Sequence, residues 1–166
     1  MSELKQILFN ELMRIEEDAL YSMKGHYNAF ERWRFWYTFL GIINVICSVV
    51  AGITAFSGID NLIQISAIIT AVVTGLATFL ECAKKAESHR ASGNGFLKIK
   101  NKARYLREIQ SEFLDQALLE KEINELLKQK DELNSSSLVI PRFAYKKAKK
   151  DIEEGRADYK VDNKEN

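Results

Sequence analysis

Two long apolar runs interrupt an otherwise amphipathic chain. Phe35 to Phe56 reads FWYTFLGIINVICSVVAGITAF and Leu62 to Leu80 reads LIQISAIITAVVTGLATFL, neither with a formal charge. As helices rising about 1.5 Å per residue they reach roughly 33 Å and 28 Å, against a bilayer core of about 30 Å. Ser57, Gly58, Ile59, Asp60 and Asn61 between them have the composition of a tight reversal. Core helices of a small soluble domain keep a polar face, and these two show no charged residue over their whole extent, so the pattern predicts a transmembrane hairpin rather than a buried pair. Arg32 and Arg34 precede the first span, Lys84, Lys85 and Arg90 follow the second, and the turn offers only Asp60. Basic flanks favour the cytoplasmic side, which places both termini there.

The remainder predicts helices as well, for an all-α membrane protein in four parts. Residues 1–34 repeat apolar positions at helical spacing (Leu4, Ile7, Leu8, Leu12, Ile15, Ala19, Met23, Tyr27, Phe30), with an acidic opposite face and a possible break at Gly25. An acidic face suits packing on another cytoplasmic helix better than lying on a membrane. The hairpin occupies 35–80. Residues 81–155 form a cytoplasmic helical region, entered past Ser92, Gly93, Asn94 and Gly95, which read as a break or a kink. From Phe96 the pattern runs through Ile99, Ala103, Leu106, Ile109, Phe113 and Ala117 as one helix. It continues in steps of four and three from Leu119 through Ile123, Leu126, Lys130 and Leu133, a seam whose partner is the N-terminal helix or another subunit. Asn134 and Ser135 to Ser137 end it, Leu138 to Pro141 is extended, and Pro141 opens a last helix over 142–154 stopped by Gly155. Residues 156–166 read as a frayed tail.

Charge modifies the picture little. The net charge of +1 hides nineteen basic against sixteen acidic residues from position 81 on, too slight an excess to imply nucleic acid but suited to an anionic inner leaflet. Cys47 and Cys82 lack metal-ligand spacing and read as small packing residues. An acidic amphipathic segment before the first apolar run speaks against a signal peptide. No nucleophile with its base, paired carboxylates, phosphate loop or metal cluster emerges, so neither enzymatic activity nor a cofactor is expected.

The candidate functional residues lie in and beside the hairpin. Arg32, Trp33, Arg34 and Trp36 on one side and Lys84 and Lys85 on the other suit headgroup depth. If both helices run straight into the cytoplasm, Glu31 meets Lys84 and Lys85, Arg34 meets Glu81, and His26 and His89 stand at matching heights, as a packing pair, a pH sensor or a metal site. In the second span Ser66, Thr70, Thr74 and Thr78 recur every fourth residue as a hydroxyl stripe beside the small-residue row Ala67, Ala71 and Gly75. Gly41, Asn44, Ser48, Gly52 and Ala55 make a comparable face on the first span. Small rows let helices approach and hydroxyls bond across them, so these residues either pack the hairpin or, in an oligomer, face neighbours or a lumen with Glu81 at its lip. Glu81 has an alternative in an ion pair with Lys85 or Arg34. Lys146, Lys147, Lys149 and Lys150 form either a solvated face or contacts to an anionic ligand or headgroups.

The order of these parts, with a helix entered through His89 and Gly93 and the ending PRFAYKKAKKDIEEGRADY, resembles the SLATT family of two-transmembrane effectors in bacterial nucleotide-signalling immunity. In that ending Pro141, Ala144, Tyr145, Ala148, Ile152, Gly155 and Tyr159 carry the resemblance. It implies an inner-membrane homo-oligomer that permeabilises the bilayer when infection is sensed, arresting or killing the cell. This chain carries no nucleotide-sensing domain, so either its cytoplasmic helices bind a signal directly, such as a small-molecule product of a sensor, or a separate sensor protein supplies it. The rival reading is a membrane-anchored helical adaptor.

Overall fold

A computed structural model of the chain describes residues 3–57, 60–157 and 159. The expected reversal at Gly58 and Ile59, and residues 158 and 160–166 of the tail, lie outside the described residues. Five helices follow in order: α1 (Glu3–Ser57), α2 (Asp60–Leu80), α3 (Cys82–Glu108), α4 (Gln116–Ser136) and α5 (Arg142–Glu153), with a short 3-10 turn at Gln110–Glu112. No strand occurs among the described residues. The chain divides into two compact units, one of residues 30–87 and one built from the residues before and after them.

The helical unit outside the apolar segment has a continuous core. The first turns of α1 present Leu8, Leu12, Ile15, Ala19 and Met23 in steps of three and four. They pack with Phe96, Ile99, Ala103 and Leu106 of α3 and Leu119, Ile123 and Leu126 of α4. Each fully buried large side chain contributes roughly 1.5–3 kcal/mol relative to exposure. The seam on α4 therefore finds its partners within this chain. Glu16 of α1 and Arg107 of α3 bridge the helices, with Arg107 Nη2 2.8 Å and Nε 3.2 Å from Glu16 Oε2.

Four features depart from the expected helix pattern. Ser92 to Gly95 do not break α3, and Gly25 does not break α1. These glycines serve close packing instead. A Cβ on Gly93 would sit 2.8 Å from the Tyr27 ring, one on Gly95 2.7 Å from Leu133 Cδ2, and one on Gly25 3.0 Å from Ile140 Cγ2. Conversely, the helix expected to run on through Ile109, Phe113 and Ala117 stops at Glu108. Phe113 is 83% exposed in the turn that follows, and Asp115 starts α4 by accepting the Leu118 N–H at 2.8 Å. The apolar spacing across 109–117 imitates a helix; the N-cap decides otherwise.

The fourth departure lies in the unit of residues 30–87. α2 and the start of α3 are not one straight helix, because Glu81 between them has φ 47°, a left-handed conformation rare outside glycine. Both apolar helices are long enough to cross a membrane, with 18-residue windows of mean hydropathy 2.0. Only 11% and 6% of those windows is buried. Ile42, Val45, Ile46, Ile53, Ile65, Ile68 and Val72 all stand exposed.

The chain's last segment closes the helical unit. The backbone is extended at Ser137 and Pro141, and α5 then buries Ala144 and Ala148 completely. Gly155 takes φ 71° just past α5, where a side chain would be strained. Tyr159 accepts a hydrogen bond from Lys100 Nζ at 3.0 Å, with Arg104 4.5 Å from its ring centre. Packing, backbone and cation contacts thus account for Ala144, Ala148, Gly155 and Tyr159 of the ending.

Candidate functional site

The hydroxyl residues of α2 have different surroundings. Ser66 is buried, its Oγ donating to Leu62 O at 2.8 Å and Ile63 O at 3.0 Å, and Thr78 Oγ1 donates to Thr74 O at 2.9 Å. Such back-bonding satisfies a hydroxyl inside its own helix. Thr70 is half-buried. Thr74 bonds to the other apolar helix, accepting from Asn44 Nδ2 at 3.2 Å. Asn44 Oδ1 is buried with no donor among the described residues. Asn44 and Thr74 border a cleft of about 340 Å³, together with Tyr37, Thr78, Glu81 and Lys84.

The small-residue rows contribute less to packing than their spacing implies. A Cβ on Gly41, Gly52 or Gly75 would meet nothing within 4 Å, and Ser48, Ala67 and Ala71 are exposed. Ser48 Oγ turns back to Asn44 O at 2.8 Å. Within one copy of the chain these rows are open.

At the ends of the apolar helices, Lys85 Nζ sits 4.7 Å above the Trp33 ring and Arg34 lies 5.9 Å from the centre of Phe30. Trp36 packs edge-on against Phe35 and Phe39. Arg32 is exposed. Glu81 pairs with Lys84 at 3.3 Å, in place of the expected Lys85 or Arg34. The left-handed Glu81 shifts which lysine of α3 comes within reach.

In the helical unit the two histidines come together. His26 Nδ1 and His89 Nδ1 are 2.9 Å apart, both rings are 2% exposed, and His26 also stacks on Phe96. Burial, then the neighbouring His89, lowers the His26 pKa from 6.5 to about 4, and burial lowers that of His89. No third potential ligand joins them among the described residues.

Lys146, Lys147, Lys149 and Lys150 are exposed on α5, Lys149 beside Glu153 at 3.5 Å and Lys150 beside Glu154 at 3.7 Å. A cleft of about 550 Å³, absent from the expectations, opens among Glu17, Tyr21, Lys130, Tyr145 and Lys149, with Lys130 bonded to Asp18 at 2.7 Å. Its residues come from α1, α3, α4 and α5, and no local motif signals it. No protein-family model, curated protein or solved structure matches the chain.

Proposed function

We propose that this chain is a bacterial inner-membrane effector of antiphage defence, crossing the bilayer twice with both termini cytoplasmic. On a signal from a separate sensor protein or its product, it oligomerises and opens the membrane, arresting or killing the cell. The observation that carries the membrane part is the exposure of two uncharged apolar runs, one in α1 and one in α2, since in water their apolar faces would be driven together or covered. The open rows at Gly52, Ala67, Ala71 and Gly75 support assembly, as small residues let a neighbour's helix approach closely. The resemblance carried by the order of parts and by the ending supports the defence role.

A second reading, a membrane-anchored adaptor without a pore, is favoured by the back-bonded hydroxyls of Ser66 and Thr78, which need no aqueous partner. Dye release from liposomes holding the purified protein separates the two. A pore releases dye when a candidate signal is added, and Thr70→Val with Thr74→Val reduces the release. Vesicles that stay sealed at every protein density, with every candidate signal, overturn the effector reading and leave the anchor.

A further inference from the structure

We infer that the strap from Leu138 to Phe143, with the outer face of α5, rests on an anionic lipid leaflet, Val139 entering the headgroup layer and Arg142 and Lys146 meeting phosphates. The inference rests on the membrane reading above and adds a second lipid contact, made by the helical unit itself.

The strap is held at three points. Ser137 Oγ bonds to Ser92 Oγ at 2.8 Å, Ile140 lies where a Cβ on Gly25 would be 3.0 Å away, and Asn28 Nδ2 donates to Ala144 O at 3.2 Å. Along this extended backbone Ile140 points in and Val139 out. Val139 is 90% exposed, more than any other large apolar side chain among the described residues, and Leu138 and Phe143 are 40% and 42% exposed. A chain that spends Ile140, Ser137 and Ala144 on fixing this segment still leaves Val139 facing outward, with Leu138 and Phe143 part-exposed beside it.

Position and charge identify the occupant. All three fixing points lie close in sequence to Ala29 and Ser88, where the chain leaves the helical unit. Asn28 is three residues from Glu31, the start of the aromatic and basic belt, a chain reach of at most about 11 Å. On α5 the angular spacing puts Arg142, Phe143, Lys146 and Lys150 on one outer face, opposite the buried Ala144 and Ala148. Arg142 and Lys146 have no carboxylate partner among the described residues. Lys149 and Lys150 are paired to Glu153 and Glu154, but such exposed pairs exchange readily for lipid phosphates. Apolar tips framed by cations are what an anionic headgroup layer accommodates.

The test places an environment-sensitive fluorophore on Val139→Cys in the full chain, in a Cys47→Ala, Cys82→Ala background, reconstituted into neutral or anionic vesicles containing doxyl lipid. A parallel sample carries the probe at Val45→Cys in the first apolar run. Both positions are exposed, so neither label disturbs the packing. The expected result is quenching of the Val139 probe that is stronger in anionic vesicles and weakened by salt. Arg142→Gln and Lys146→Gln should each lower the ratio of inserted to water-exposed probe about fivefold. A quenched Val45 probe beside an unquenched Val139 probe overturns this inference alone, whether water or protein covers the strap. If neither probe is quenched, the membrane reading falls with it.

Discussion

His26 Nδ1 and His89 Nδ1 stand 2.9 Å apart in the core of the helical unit, joining α1 to α3 through two neutral imidazoles. One ring donates its Nδ1–H and the other accepts, which two protonated rings cannot do. Burial holds both in the neutral form, so the unfolded chain binds more protons below its pKa of 6.5. The stabilisation is complete above about pH 6.5 and is lost as pH falls through the window toward about 4. For His26 the full loss is on the order of 3 kcal/mol. Thermal unfolding in detergent at a series of pH values should show this slope, and His26→Phe should flatten it while retaining the stack on Phe96. Equal slopes for both proteins would contradict the pair's role.

The two glycines of α3 differ in what they abut. The Tyr27 ring beside Gly93 is fixed by its hydroxyl, which donates to Asn94 Oδ1 at 2.7 Å, whereas Gly95 faces the free end of Leu133. Gly93→Ala should destabilise the protein by about 1–3 kcal/mol, outweighing the gain of about 1 kcal/mol in helix propensity. Gly95→Ala should stay within about 1 kcal/mol of the parent, since Leu133 can rotate away. Chemical denaturation of the two variants checks the difference.

Glu16 accepts two bonds from Arg107, and both side chains are mostly buried. Glu16→Gln removes the charge from a shielded pair and should lower stability by about 1.5–3 kcal/mol. Glu11→Gln, which disturbs the exposed pair with Arg14, should change it by less than about 1 kcal/mol. Comparable losses in melting experiments would place the support elsewhere than in this bridge.

Glu81 is the one non-glycine residue with positive φ among the described residues. Glu81→Gly should raise stability by about 1 kcal/mol, because glycine accepts the left-handed conformation and the exposed pair with Lys84 adds little. Glu81→Val should lower it by about 1–3 kcal/mol, as a branched side chain is poorly tolerated there. A destabilised glycine variant would show that the carboxylate matters more than the backbone.

Much of this architecture was legible in the sequence because it depends on local regularities. Charge-free runs marked the apolar helices, steps of three and four marked the buried face of α1, and equal spacing from the spans paired His26 with His89. The errors arose where two local signals competed. Apolar positions at Ile109 and Phe113 kept the helical period while Asp115 was poised to cap a new helix, and glycine's reputation as a breaker hid its use against Tyr27 and Leu133. The cleft beside Tyr21 and Tyr145 had no local sign at all.

The sequence by itself determined that the chain is helical, which faces are apolar and which segments suit lipid, because hydrophobic period and charge act over a few turns. Tertiary structure alone decided that α4 packs on α1 and α3 of its own chain, that Gly93 lies against Tyr27, and that Val139 is held outward. Those outcomes depend on side chains brought together from distant positions, where steric fit and shared burial choose among arrangements that the linear pattern leaves equally open.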